Sequence, residues 1–476
     1  MRTLFWWGSK LFYHSIEVNA PENCPPPGRC TILCPSHGNS LTDAIVVTAT
    51  CPRMVRLTAK DSLWQHPFFS LFVRGVGTIP IQRRTEHGAN ADNTAVFTGL
   101  YKALEAGQCA CLFPEGISRY MSGIAPLKSG VGRIALEVLR RRHAAGDLDF
   151  ECTIVAMGIT YLHREKFRSD VGVAFNEPIR LRAADYPELT GGKGGEGAAA
   201  KQIMARVARD LRRSSITAPT WEVARAAHAA RRLYAPLGTR ISLHQHIVLT
   251  QRFVAVFATM ASEAADEARR KRSDSDPDLP EEEAAADSAS ERDLADLTQL
   301  STDLVAYQDM LEELGVADER IRLPQPSPAS LVAGIVLRGT WGGFLLALAL
   351  PGTVLLSPLL VGGKLAEFYL QRSNLGPKLV RNMDEVAQYK MAVATVMTLP
   401  LTAASVTAAR RLAGLPAAAA LLAGPGLLWM TVRWLEDATA CLRAGLEKFR
   451  LLLRPKTAAL ARGVRAGLVP RVVAVA

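Results

Sequence analysis

Between Cys30 and Phe175, short apolar runs alternate with stretches whose apolar residues recur at helical spacing. Cys30–Pro35 (CTILCP) predicts a buried strand and Leu41–Thr50 a helix. Ser62–Gly75 is apolar at helical spacing, and Thr78–Gln82 reads as a second strand. A helix is expected over Asn93–Gly107, with Asp92 as its N-cap and Gly107 beyond its end. Cys109–Phe113, Thr153–Thr160 and Val171–Phe175 read as strands and Ser129–Arg142 as a helix. This alternation predicts an α/β domain.

Elsewhere the pattern changes. The N-terminus carries Phe5, Trp6, Trp7, Leu11, Phe12 and Tyr13, which suits a helix in a bilayer interface or one packed into a core. It lacks the continuous apolar stretch of a secretory signal. Gly191–Gly197 (GGKGGEG) reads as a flexible loop, and helical stretches follow from Ala198 to about Met260. Glu263–Asp296 is densely charged and reads as a solvated insertion. Beyond Pro324 three uncharged runs appear, Gly339–Gly363, Met391–Ala409 and Leu412–Val432. Each is near the ~20 residues needed to cross a bilayer, although Pro351, Pro358, Pro400, Pro416 and Pro425 admit kinked or re-entrant helices.

With 476 residues, two or three structural units are expected, and 49% hydrophobic content supports a sizeable core. The net charge of +11 suits anionic partners: phosphorylated metabolites, coenzyme A or an anionic membrane face. No nucleic-acid recognition signature accompanies it, so no nucleic-acid partner is expected. The eight cysteines form no CxxC pair, which predicts free thiols. Cys30, Cys34 and His37 lack a fourth ligand nearby, so no metal site is expected.

The sharpest local feature is SHGNSLTD, Ser36 to Asp43, which follows an apolar strand and opens a helix. Gly38, Asn39 and Ser40 suit a sharp turn around His37, and Asp43 falls in the first helical turn, where the dipole favours an anion. A carboxylate there can bond one imidazole nitrogen and leave the other to accept a proton. Alone, such a pair usually amounts to a cap and a surface histidine. Ser36 and Ser40 lack the GxSxG elbow of a nucleophilic serine. His244 and His246 read as packing or surface residues, and Arg140–His143 as a solvated helix end.

Three further pieces change the picture. VGTIPIQR (Val76–Arg83) delivers Arg83 and Arg84 at a strand end, FPEGISR (Phe113–Arg119) runs into a Pro-Glu-Gly turn, with Lys128 following, and IVAMGITY spans Ile154–Tyr161. With the histidine segment these resemble the four ordered blocks of the glycerolipid acyltransferase superfamily. Most of that superfamily places four residues between the histidine and the aspartate, whereas five stand between His37 and Asp43. That gap, with FYHSIEV (Phe12–Val18), HREKFRSDVGVAFNEPI (His163–Ile179) and ARRLYAPLG (Ala230–Gly238), is similar to the fungal-type glycerol-3-phosphate and dihydroxyacetone-phosphate acyltransferases.

The resemblance implies an α/β fold, a mixed sheet flanked by helices, followed by a helical, membrane-associated C-terminal region. It divides the chain into an amphipathic membrane-contacting segment (1–29), an acyltransferase domain (30–260), a charged, partly disordered insert (261–330), hydrophobic anchoring helices (331–455) and a tail (456–476). It implies acyl-CoA as co-substrate with no other cofactor, glycerol 3-phosphate or dihydroxyacetone phosphate as acceptor, membrane lipid as a partner, and the endoplasmic reticulum membrane with the catalytic domain facing the cytosol. His37 would be the catalytic base and Asp43 its partner. Arg83, whose guanidinium fork matches phosphate, would bind the acceptor. Gly77, Glu115 and Gly116 carry over to the acceptor site, with Glu115 orienting donors rather than touching phosphate. Arg84, Arg119 and Lys128 are secondary candidates. Acylation of lysophosphatidate or another lysophospholipid, and a catalytically silent scaffold of the same fold, are the alternatives.

Overall fold

The strands expected between Cys30 and Phe175 join one eight-stranded sheet in the computed structural model, which describes residues 2–65, 70, 73–82, 87–88, 93–119, 121–164, 166–187, 189, 195–235, 241–273, 281–324, 326–373 and 383–476. The strands are β1 (Ser15–Asn19), β2 (Thr31–Pro35), β3 (Val55–Lys60), β4 (Ile79–Ile81), β5 (Cys109–Cys111), β6 (Glu151–Tyr161), β7 (Asp170–Phe175) and β8 (Ile179–Arg182). Their order is β1-β7-β6-β2-β5-β3-β4, with β8 on the first half of β6. The sheet is mixed: β6 runs antiparallel to β7 and β8, and all other pairs are parallel.

β1, β3 and β8 lie outside the strands expected from the pattern. β3 reads VRLTAK, and its exposed Arg56 and half-buried Lys60 mask an alternation that buries Val55 and Leu57. β1 is half-buried along its whole length at a sheet edge, so no apolar run announces it.

Helices cover both faces. The first are α1 (Arg2–Phe12), α2 (Leu41–Thr50), α3 (Thr94–Glu105), α4 (Gly130–Ala144) and α5 (Glu196–Ser214). Ile32 and Cys34 of β2 pack with α3, α4 and α5, whereas Leu33 packs with α1 and α2. That is the two-fold alternation of a strand buried on both sides. β2 is followed by α2 on one face, and the adjacent β5 leads to α4 on the other. Their connections diverge at the carboxyl ends of two central parallel strands, the usual ligand position in open α/β sheets.

The opposite end of these strands is closed by close backbone approach. A Cβ on Gly107, whose φ is +71°, would stand 2.3 Å from the Gly28 carbonyl oxygen. The buried Arg53 guanidinium ties the same loops, donating to the carbonyls of Pro25, Pro26, Arg29 and Gly107. Gly107→Ala is therefore expected to destabilise this unit by about 3 kcal/mol, from combined backbone strain and overpacking. Denaturant unfolding reads this directly, and an unchanged midpoint would contradict it.

The chain divides into two compact units, residues 1–216, 242–248 and 362–396, and residues 217–241, 249–361 and 397–476. In the second, α6 (Trp221–Tyr234), α8 (Glu281–Leu314) and α13 (Pro455–Val475) pack together. The stretch read as a partly disordered insert is thus in part a packed helix. Leu300, Leu304, Tyr307, Leu311 and Leu314 recur at helical spacing and are buried, a signal diluted by the surrounding charge. Residues 274–280 lie outside the described residues. Residues 456–476, read as a tail, form a helix that buries Ala458, Ala461, Leu468 and Val472.

Between these lie α7 (Leu243–Ser273), α9 (Asp318–Arg322), α10 (Pro328–Ser373), α11 (Met383–Leu412) and α12 (Ala417–Leu453). Among the described residues, Pro328–Gly362 and Ala417–Leu453 are long and apolar enough to cross a membrane. Val336, Leu337, Trp341, Phe344 and Leu350 on the first, and Leu421, Leu422 and Trp429 on the second, are exposed. Apolar surface on that scale marks a lipid or protein interface rather than a soluble core helix. The run Met391–Ala409 falls in α11, whose side chains are described only in part.

Candidate active site

His37 leaves the carboxyl end of β2, held in place by β6. Ser36 N–H donates to the Met157 carbonyl, and the Ser36 hydroxyl accepts from Ile159 N–H and donates to the Ile159 carbonyl. That hydroxyl is a structural bridge, not a poised nucleophile. The turn then reverses at Ser40, whose φ of +49° is an uncommon conformation for a residue with a Cβ. Ser40 caps α2, placing Asp43 at the third helical position, fully buried. Across the five intervening residues, His37 Nδ1 stands 2.9 Å from Asp43 Oδ2.

Asp43 is surrounded by donors. Oδ2 also accepts from Asn39 N–H at 2.8 Å, and Oδ1 accepts from the Tyr161 hydroxyl at 2.6 Å. Burial, then the charge of Asp43, pushes the Tyr161 hydroxyl well above the ordinary phenol range, so it stays protonated and donates. The His37 ring stacks on Phe113, with centroids 4.1 Å apart. Its Nε2 has no hydrogen bond among the described residues and is the position that can accept a proton.

The loop after β5 is pinned to this turn. One Glu115 oxygen accepts from His37 N–H at 2.6 Å and the other from Ala125 N–H at 3.0 Å. Burial raises the Glu115 carboxyl above its ordinary range, opposed by these two amides. The carboxylate therefore braces two loops. Ser40 N–H donates to the Ser118 hydroxyl, and Arg164 donates to the carbonyls of Gly38 and Met121. Gly116, at φ +74°, leaves room for Lys128: a Cβ there would stand 2.7 Å from Lys128 Nζ.

His37, Asp43, Glu115, Gly116 and Lys128 thus gather at one end of β2 and β5. Gly77 lies in the turn before β4 at φ +69°, with nothing within 4 Å of a Cβ position, and Arg119 is exposed. Arg83 and Arg84 lie outside the described residues. Cys30 and Cys34 are in the apolar cluster beneath α3 to α5. Arg140, Arg141 and Arg142 are each paired, with Glu137, Glu105 and Asp147. Pattern reading gave Asn39 only a place in the turn and left Tyr161 and Arg164 without roles. Asn39 and Arg164 bond one another across the turn, Nδ2 donating to the Arg164 carbonyl at 3.2 Å.

Residues 15–160 match the Acyltransferase family model. An uncharacterized acyltransferase of Schizosaccharomyces pombe is 26% identical over 64% of this chain and 40% of its own length. Glycerol-3-phosphate O-acyltransferase 1 of Saccharomyces cerevisiae is 24% identical over 65% of this chain and 36% of its own. Glycerol-3-phosphate O-acyltransferase 2 of the same yeast is 28% identical over 36% of this chain and 22% of its own. The chain therefore spans less than half the length of these relatives. Among solved structures, the 1-acyl-sn-glycerophosphate acyltransferase PlsC of Thermotoga maritima has 14% identity and a TM-score of 0.31, over 44% of this chain and 77% of that one.

Proposed function

The chain carries an acyltransferase-family domain over residues 15–160, and from that premise we propose that it transfers an acyl group from acyl-CoA to the sn-1 hydroxyl of glycerol 3-phosphate, giving lysophosphatidate, with dihydroxyacetone phosphate as a second acceptor. The observation that carries the reading is the closed His37–Asp43 pair, with Nε2 left open at the carboxyl ends of β2 and β5. Two named yeast relatives are glycerol-3-phosphate O-acyltransferases, which supports the acceptor.

In this mechanism Nε2 takes the acceptor hydroxyl proton as the oxygen attacks the thioester carbon. The tetrahedral intermediate collapses and expels the coenzyme A thiolate, and the imidazolium returns the proton to sulfur. Asp43 fixes the ring tautomer and stabilises the imidazolium. Glu115 holds the turn through the His37 amide. Lys128, near Gly116, and Arg83 supply charge for the acceptor phosphate. The test compares the full chain on glycerol 3-phosphate, dihydroxyacetone phosphate and lysophosphatidate with acyl-CoA. Turnover of lysophosphatidate alone would overturn the acceptor assignment, and turnover of none would favour a silent scaffold.

Arg83→Ala is expected to raise KM for glycerol 3-phosphate about tenfold or more, and KM for acyl-CoA far less, as for lost uniform binding. Equal effects on both substrates, or a pure loss of kcat, would remove it from the acceptor site.

The same reading puts the chain in the endoplasmic reticulum membrane with its catalytic unit facing the cytosol, where acyl-CoA and glycerol phosphate are found. Lys364, Lys390, Arg410, Arg411 and Arg433 flank its apolar runs. The full chain is expected to remain in the membrane pellet after alkaline carbonate, and its release would refute integral insertion.

A further inference from the structure

Asp43 has no exposed surface, and three donors surround its carboxylate. His37 Nδ1 and Asn39 N–H belong to the same turn and both address Oδ2. The third is distant in sequence: Tyr161, the last residue of β6, with its hydroxyl 2.6 Å from Oδ1. We propose that Tyr161 is a positioning residue for the His37–Asp43 pair, setting the plane of the Asp43 carboxylate and the share of its charge that reaches the imidazole. The inference rests on His37 being the base, and deepens that reading.

Two donors on one oxygen locate that oxygen but leave the carboxylate free to turn, because the terminal torsion of an aspartate is broad. A donor on the second oxygen removes that freedom, and the donor must itself be rigid. Tyr161 meets this need. β6 is paired with β7 as far as Tyr161, opposite Val171, and on its other side with β2 as far as Met157, opposite Pro35, beyond which Ser36 bridges Ile159. Behind the phenol lies the fully buried Tyr13 ring, with centroids 5.9 Å apart. The phenol thus stands on a strand whose height relative to the His37 turn is set by the sheet itself. The other titratable groups around the pair are Glu115, Tyr13, Cys111 and Arg164.

The hydrogen bond engages part of the carboxylate's charge. Without it more of that charge acts on the imidazolium, so His37 holds its proton to higher pH, while the carboxylate turns more freely. Tyr161→Phe keeps the ring and removes this bond. Thr160→Val is the matched control, since it removes a buried hydroxyl one residue earlier that has no hydrogen-bond partner among the described residues. In the full chain, Tyr161→Phe is expected to lower kcat about tenfold, the scale of one charge-assisted hydrogen bond. KM for both substrates should stay unchanged and the acid limb of the pH profile should move to higher pH. Carbethoxylation of His37, followed by mass spectrometry against pH, reads the same displacement without turnover. Thr160→Val should alter neither.

Unchanged kcat and carbethoxylation midpoint in Tyr161→Phe would overturn the proposal, as would equal effects from both variants. A displaced midpoint in a chain that transfers no acyl group would refute the acyltransfer reading while supporting the role of Tyr161.

Discussion

Replacing His37 with alanine is expected to lower acyl transfer by about 10²–10⁴-fold, the contribution of a positioned general base. The effect is large because no second base stands ready: Asp43 is buried and saturated with donors, and both Glu115 oxygens accept main-chain amides. The variant should still fold. Asp43 keeps the Asn39 amide and the Tyr161 hydroxyl, so no buried charge is left without partners, the usual cause of collapse when half of an ion pair is removed. The Glu115 bond is to the His37 main chain and is untouched by the substitution. Membrane association and expression should therefore match the wild type. Retention of more than about a tenth of wild-type turnover would refute the general-base assignment.

How much of this was legible in the sequence depends on the distance over which each interaction acts. SHGNSLTD contains both members of the pair and the turn that joins them, so local rules sufficed to nominate it. Those rules assigned the sharp bend to Gly38, Asn39 and Ser40 together, and of these Ser40 carries the positive φ, because the backbone must reverse immediately before the α2 helix starts. FPEG announced a turn, yet only the pairing of β2 with β5 shows Glu115 reaching the His37 amide. Tyr161 and Arg164 could not be given roles from pattern alone, because their partners are fixed by where β6 ends in the sheet. The short β5 and long β6 were read from their apolar runs. β3 was hidden by Arg56 and Lys60 on its exposed side. The second half of the insert read as 261–330 concealed a core helix because Leu300, Leu304 and Leu311 follow directly on the densely charged Glu263–Asp296.

Asp43→Asn should be severe but not complete, and the donors around the carboxylate say why. An amide offers one oxygen and one NH₂ group where three donors point. The Asn39 amide cannot turn into an acceptor, and it shares Oδ2 with His37. The new amide oxygen must therefore take that position, which keeps His37 Nδ1 protonated and Nε2 available. The NH₂ group then faces the Tyr161 hydroxyl, which can rotate to accept. The tautomer survives, and what is lost is the negative charge that stabilises the imidazolium. A buried charge–charge contact of this kind corresponds to a loss of about 10²–10³-fold in kcat. The lost charge also moves the acid limb of the pH profile to lower pH, opposite to the displacement expected for Tyr161→Phe. A pH profile on the same preparation separates the outcomes. A limb that stays put would mean that the Asp43 charge does not act on the imidazolium. Activity within about twofold of wild type would mean that Asp43 is only a helix-capping residue.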